Sequence, residues 1–522
     1  MSLQIVWFKR DLRLEDHAPL CAAALRGPVL PLYVIEPALW LQPDASSRHW
    51  KFIRASLVDL DLSLRERGGA LCILPGDIPA VFEELRRQHG AFDLWSHEET
   101  GNGWSYARDR RLACWCREQG ILWHELPSNG VVRRLVNRDT WAASRDRVMA
   151  QAPLPAPTGI RFAPPVLAAL QRPAQLPAED DPRFGVATPR VQAGGRAQGL
   201  KVLGSFLADR SRQYMRTISK PGVSARHCSR LSPHIAYGTL SVREIVQASE
   251  ARARELESLP DPAGHAWARQ LAAFGSRLAW RCHFVQKLEQ QPAIEARCMH
   301  PAFEGMREQE FREDFFDAWC QGRTGYPLVD ACMRSLQANG WITFRMRAML
   351  VAFASYHLWL DWRRTAPFLA RLFTDYEPGI HYSQLQMQSG VTGINAVRIY
   401  NPVKQSYDHD PDGRFIRRYL PELREVPPDF IHEPWLLDQP ARDYPPPIVE
   451  HGAAVRLARQ KMTAYRQGEE FRAQAAEVHR KLGSRSRQRA GGAARKSTRG
   501  KRAAPAAAAQ QQGFDFGEAD GR

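Results

Sequence analysis

The sequence lacks most of the short signatures that name a chemistry at once. It contains no apolar run long enough to cross a bilayer. There is no GxxxxGK[ST] loop, and no GxGxxG follows the first apolar run, so the usual cradles for nucleoside triphosphates and dinucleotides are missing. No GxSxG occurs, which removes the nucleophile elbow of the hydrolases. His432-Glu433 has no second His at metal spacing, so a zinc-protease helix is excluded. The nine Cys include no CxxC pair; an odd, scattered set suits a reducing compartment better than a disulfide framework. Cys114 and Cys116 stand one residue apart on an expected helix, and both read as core thiols. Asp408–Gly413 imitates the start of a calcium loop, but Tyr419 stands where the twelfth position needs a bidentate Glu. The opening MSLQIVWFKRDLRLED places charges where a signal peptide needs apolar residues. The expectation is a cytoplasmic protein without a membrane segment.

What is present is globular: 522 residues, 44% apolar and 25% charged, too many for one ordinary domain. The net charge is +16, and Lys481–Arg502 alone holds nine basic residues and no acidic one. Such a balance favours polyanions, nucleic acid among them.

Residues 1–130 alternate short apolar runs with amphipathic segments. Leu3–Phe8, Val29–Val34, Ala70–Leu74, Phe92–Trp95 and Ile121–Leu126 read as strands. Ser47–Arg67 carries Trp50, Ile53, Leu57, Leu60 and Leu64 at helical spacing and ends at Gly68-Gly69. Pro79–Gln88 and Tyr106–Glu118 are further helices. The alternation predicts a parallel sheet covered by helices. Residues 131–194 read as an extended connector, with nine prolines between Gln151 and Arg190. From 195 to 480 helical patterns dominate, and Gly340 divides the apolar stretch Pro327–Leu360. Residues 481–522 form a low-complexity basic tail expected to be disordered. The predicted fold is thus an α/β parallel-sheet domain followed by a large all-α domain.

Few residues outside the core speak for chemistry. Ser229-Arg230-Leu231-Ser232 combines small hydroxyls with an Arg on a loop, a set that can hold a phosphate. Arg345 and Arg347 lie two apart on an expected helix, so one of them at most should face a given pocket. A buried Arg needs an acid, and Asp375 or Glu377 can supply it.

At these residues the chain resembles the photolyase/cryptochrome family, over nearly its whole length to about residue 480. Trp7-Phe8-Lys9-Arg10-Asp11-Leu12-Arg13 is similar to that family's first strand and loop, and Ser229–Pro233 to its flavin phosphate loop. Gly325–Arg334, Gly340-Trp341, Asn401-Pro402, Asp410–Gly413, Tyr419–Leu423 and Tyr444–His451 follow in family order. The resemblance implies a site for an antenna chromophore, of unspecified identity, in the α/β domain, with Glu98–Tyr106 at its border. It implies FAD in the helical domain. Tyr214, Ser229, Arg230, Leu231 and Ser232 would hold its phosphates and ribose. Phe274, Arg281 and Trp341 would line the cavity. Arg347 and Asp375 would flank the ring, with Glu377 at its edge and His381 opposite N5. Light would then drive an electron from reduced flavin to a pyrimidine lesion in DNA.

Departures from the family pattern accompany the matches. Where dimer-specific photolyases carry a Glu, this chain has Arg277, while Trp280 is kept to stack on an extruded base. Phe344 and Ala348 replace an Asn and a Met; Phe344, Arg345 and Met387 complete the expected DNA side. In the tryptophan relay Trp362 is the middle member, but the outer positions read Leu385 and Gln309, and Trp359 is the candidate detour. Two functions follow: a flavin photolyase repairing pyrimidine lesions, or a cryptochrome-like blue-light receptor that binds FAD without repair. The expected partner is ultraviolet-damaged DNA, single-stranded forms included, met by a monomer. Gln512–Phe516 faintly resembles a sliding-clamp peptide.

Overall fold

The computed structural model describes residues 2–164, 175–186, 188, 191–439, 441 and 443–484. The basic tail beyond residue 484 and its Gln512–Phe516 segment lie outside the described residues.

Five strands form one parallel sheet: β1 (Leu3–Phe8), β2 (Val29–Ile35), β3 (Cys72–Pro75), β4 (Phe92–His97) and β5 (Trp123–Leu126), in the order β3-β2-β1-β4-β5. Each lies within three residues of its expected bounds. Side chains alternate across the pleat, and both faces are covered, which is why β1 is apolar at every position but Gln4. Val6 and Phe8 pack on one face against Trp50, Ile53, Leu57, Leu60 and Leu64 of the helix Ser47–Arg65. Ile5 and Trp7 pack on the other, against Phe82 and Leu85 of Ile78–His89 and Leu112 and Cys116 of Gly103–Glu118. Cys116 is a core thiol as expected; Cys114 is exposed, because two residues along a helix turn a side chain to the opposite face.

The stretch 131–194 departs from a purely extended connector. Trp141–Ala150 is a helix, with Trp141, Arg145 and Met149 buried four residues apart. Beyond it, Phe162 bridges to Val29 and Phe184 stacks on Trp50 at 4.3 Å, so both lie against the sheet domain.

The remainder is helical. Pro262–Gln290 runs for 29 residues beside Val242–Glu257, which opens on a Ser241/Glu244 capping box. Pro327–Asn339, Phe344–Ala352, Trp362–Leu372 and Pro378–Ser389 build the largest core. Gly340 ends the first of these with φ 68°, and a Cβ there would sit 2.3 Å from Thr374 Oγ1 and 2.5 Å from Arg48 Nη1. Only Gly fits that turn. The last helix, Glu469–Leu482, runs just past the expected start of the tail.

The charged loop after β1 is no solvated turn. Arg10 donates from Nε to the Ala236 carbonyl (2.9 Å) and from Nη2 to the Tyr376 carbonyl (2.6 Å), and Arg13 donates to Gly238 (2.9 Å). His49 reaches the Phe373 carbonyl at 3.0 Å. These bonds tie the sheet domain to Ala236 and Gly238 and to Phe373 and Tyr376 of the helical half.

Candidate functional site

The helices enclose a cavity of ≈ 560 Å³, the size of a small-molecule or cofactor site. It is lined by Tyr214, Ser229, Arg230, Ser232, Phe274, Arg281, Trp341, Arg347, Asp375, Glu377 and His381, together with Arg277, Trp280, Phe344 and Arg345. Residues as far apart in sequence as Tyr214 and His381 thus meet in one cavity. Two expected members do not line it. Leu231 is fully buried in the core cluster that holds Ile235 and Leu240, while its neighbours Ser229, Arg230 and Ser232 line the cavity. Met387 stands outside the lining residues, on a flank of its helix from which Gln384, Leu385 and Gln388 face in. Arg345 and Arg347 both line the cavity, contrary to the spacing argument. They belong to the first turn of Phe344–Ala352, and the cavity wraps that helix end.

The charged groups are paired in a definite way. Arg347 Nη2 donates to both Asp375 oxygens (2.8 and 3.1 Å), its Nε donates to the Ile342 carbonyl, and its guanidinium covers the Phe373 ring at 4.0 Å. Burial pushes the Asp375 carboxyl up, but Arg347, the Ser232 hydroxyl and Arg230 outweigh it and hold it below its ordinary range. Glu377 serves the other Arg: Arg281 Nη2 donates to its Oε2 at 2.9 Å. Arg230 takes φ 60°, a left-handed conformation uncommon for a side-chain-bearing residue, and lays its guanidinium over Trp341 at 4.2 Å. Burial brings its pKa down to about 10.

His381 is neutral. Burial lowers its pKa to about 4, and its Nε2 donates to the Ala366 carbonyl at 2.9 Å, which leaves Nδ1 as an acceptor. Rings of Tyr376 and Tyr382 stand edge-on to it at 5.2 and 5.3 Å. Arg277 covers the Trp280 ring at 4.0 Å and hydrogen-bonds the Tyr214 hydroxyl. Trp362 and Trp359 lie behind the lining, both buried. Arg307 and Lys461 stand 4.4 and 4.9 Å from the Trp359 ring.

Sequence reasoning passed over Thr343, Tyr376, Gln384 and Gln388. Tyr376 had a usable signal, since it separates the two acids Asp375 and Glu377. The glutamines had none, their helix being mixed in composition.

The cavity suits a large ligand with a flat ring and an anionic part. Phe274, Trp341 and Phe344 supply apolar faces, and Arg230, Arg281 and Arg347 supply cations. Arg281 Nη1 and both amide atoms of Gln384 are buried without a protein partner, as donors and acceptors awaiting a ligand would be. FAD fits this set. The crevice between β1 and β4, where the strand order reverses, is different. Only ≈ 50 Å³ is open there, beside Lys9, Asp11, His97 and Glu99. Arg108 donates next to it to Glu36 (2.8 Å) and Glu99 (2.6 Å). That space is much smaller than the helical cavity.

Residues 4–138 match the family described as DNA photolyase, and residues 274–464 match the FAD binding domain of DNA photolyase. The deoxyribodipyrimidine photo-lyase of Streptomyces griseus is 31% identical over 464 residues, covering 86% of this chain and 97% of that protein. Cryptochrome DASH of Synechocystis is 29% identical over 489 residues, covering 87% and 96%. Among solved structures, a bacterial class III photolyase from Agrobacterium tumefaciens superposes with a TM-score of 0.76 at 26% identity, covering 90% of this chain and 98% of the other. Described residues include no helix long and apolar enough to cross a membrane. On its own motifs, its cavity and these likenesses, the chain belongs to the photolyase/cryptochrome family, with that family's FAD-binding domain as its helical half.

Proposed function

We infer that this protein is a light-driven DNA photolyase that holds FAD in the ≈ 560 Å³ cavity and acts on pyrimidine lesions. The supporting observation is the rim. Trp280 lies half-buried at the cavity edge under the Arg277 guanidinium, within the same cavity as the Arg347–Asp375 pair. A base extruded from DNA needs such an aromatic face, and its flanking phosphates need cations nearby. Arg277 and Arg345 supply the cations. Deeper in, Ser229, Arg230 and Ser232 would hold the cofactor's phosphates. Arg347 would favour the ring's negative form, Asp375 keeps that Arg paired, and His381 would offer its free Nδ1 as an acceptor. When bound, FAD supplies the light-driven electron that splits a pyrimidine dimer.

One observation favours the receptor reading instead. Arg277, at the position where the family places its lesion-contacting Glu, is engaged with Trp280 and Tyr214 of its own chain. Binding in the dark separates the two. The photolyase reading expects dimer-bearing oligonucleotides to bind more tightly than undamaged ones, and Trp280→Ala to abolish the difference. Equal affinity for both DNAs would leave the receptor reading ahead.

A further inference from the structure

Reduced flavin has to be made before a photolyase can act, and the route through tryptophan is poorly served here. Leu385 and Gln309 occupy two of its three positions. The detour residue Trp359 lies under Arg307 and Lys461, and adjacent cations oppose the positive charge that an oxidised indole carries. Another aromatic group reaches the same cavity with the opposite electrostatics.

Tyr376 lines the cavity between Asp375 and Glu377, and its ring stands 5.2 Å from that of His381. Its hydroxyl donates to Asp44 Oδ2 at 2.5 Å, and Asn102 Nδ2 donates to the same oxygen at 3.0 Å. Asp44 is 4% exposed and comes from the other end of the chain, 332 residues away. The Tyr382 hydroxyl hydrogen-bonds that of Tyr376, and the His49 ring stacks on Tyr376 at 5.7 Å. A phenol that loses an electron becomes a very strong acid, so oxidation requires a base already in hydrogen-bond contact. A buried carboxylate at 2.5 Å meets that requirement.

We propose that Tyr376, with Asp44 as its proton acceptor, is the electron donor that photoreduces the flavin. One electron leaves the Tyr376 ring for the light-excited oxidised flavin. The phenolic proton moves along the hydrogen bond to Asp44 Oδ2. Tyr376 is thereby oxidised to a neutral tyrosyl radical, the flavin is reduced by one electron, and Asp44 becomes a carboxylic acid. Tyr382 donates its hydroxyl hydrogen to the Tyr376 oxygen and steadies the radical. A soluble thiolate then returns one electron to the radical while the proton comes back from Asp44, and a second light-driven turn of the same donor supplies the second electron of full reduction. The assignment rests on the placement of FAD in this cavity.

The test uses the full-length protein with oxidised FAD, its flavin content measured first by absorbance. Protein grown on ring-deuterated tyrosine, illuminated and frozen, should give a radical whose electron paramagnetic resonance spectrum narrows relative to unlabelled protein. Labelled tryptophan should leave that spectrum unchanged. Tyr376→Phe should remove the radical and slow photoreduction by about tenfold or more. Asp44→Asn, which keeps the ring but not the base, should slow it similarly with flavin content retained. A spectrum that narrows only with labelled tryptophan would overturn the proposal without touching the flavin site; the labelled parent protein gives this answer even where a variant does not fold. Protein that takes up no FAD would overturn the cavity assignment and the proposal with it.

Discussion

Removing Arg347 tests the charge design of the cavity most sharply. In Arg347→Ala the Asp375 carboxylate, 4% exposed at its side chain, loses two hydrogen bonds of 2.8 and 3.1 Å to a cation. Charge-assisted bonds contribute about 1.5–3 kcal/mol each, and breaking a buried pair costs about 3–5 kcal/mol. Ser232 and Arg230 still face Asp375, which places the expected loss at the low end, about 3 kcal/mol or roughly a hundredfold in the folding equilibrium. The sign with pH follows. In the parent, Asp375 is held below its ordinary pKa, so its contribution is present above that value and fades in acid. Without Arg347, only Ser232 and Arg230 oppose burial and the carboxyl moves up, so the variant's deficit should shrink as the pH falls toward about 4. Adding Asp375→Asn should recover most of the loss, because the uncompensated charge is gone. The assay is urea unfolding of the flavin-free proteins by tryptophan fluorescence, with flavin uptake measured alongside. Both variants should take up less FAD than the parent, while only the single variant should be strongly destabilised. Equal midpoints for parent and single variant, or no recovery in the double, would refute the reasoning.

Other consequences follow from the same geometry. Unfolded His381 takes up a proton near pH 6.5 that the native residue refuses until about pH 4, so folding loses stability across that window. His381→Asn should relieve about 3 kcal/mol of that loss between about pH 7 and 4, measured as the change in unfolding free energy; a variant that tracks the parent at both pH values would contradict the buried neutral state. Gly340→Ala should destabilise the protein by at least about 2 kcal/mol, since it adds left-handed strain to contacts with Thr374 and Arg48. An unchanged melting temperature would mean that this turn relaxes. Arg345→Ala should flatten the salt dependence of DNA binding by about one unit of log–log slope, and an unaltered slope would take Arg345 off the phosphate contacts.

Much of this molecule was legible in its sequence, and particular residues show why the rest was not. Strands such as Leu3–Phe8 were visible because both faces of the sheet are buried. Gly340 marked its helix end because only Gly tolerates φ 68° there. The helix Trp141–Ala150 was hidden because its buried face is a Trp, an Arg and a Met, a pattern without an apolar stripe. Leu231 misled for the reverse reason: a loop that presents Ser229, Arg230 and Ser232 to a cavity must point its fourth residue elsewhere. The pairing of Arg347 with Asp375 rather than Glu377 is a choice that spacing cannot make. The bond between Tyr376 and Asp44 spans 332 residues, and a long-range contact of two common residue types leaves no local pattern.

The central claim is light-driven repair, and one measurement bears on it directly. Protein reduced chemically beforehand needs no internal electron donor. It should be illuminated with single-stranded and duplex oligonucleotides carrying a defined cyclobutane or (6-4) lesion, and the loss of each lesion followed with time. The account predicts light-dependent loss of at least one lesion, none in the dark, and none in Trp280→Ala with its flavin retained. Flavin-loaded, reduced protein that leaves every lesion intact under light would contradict it.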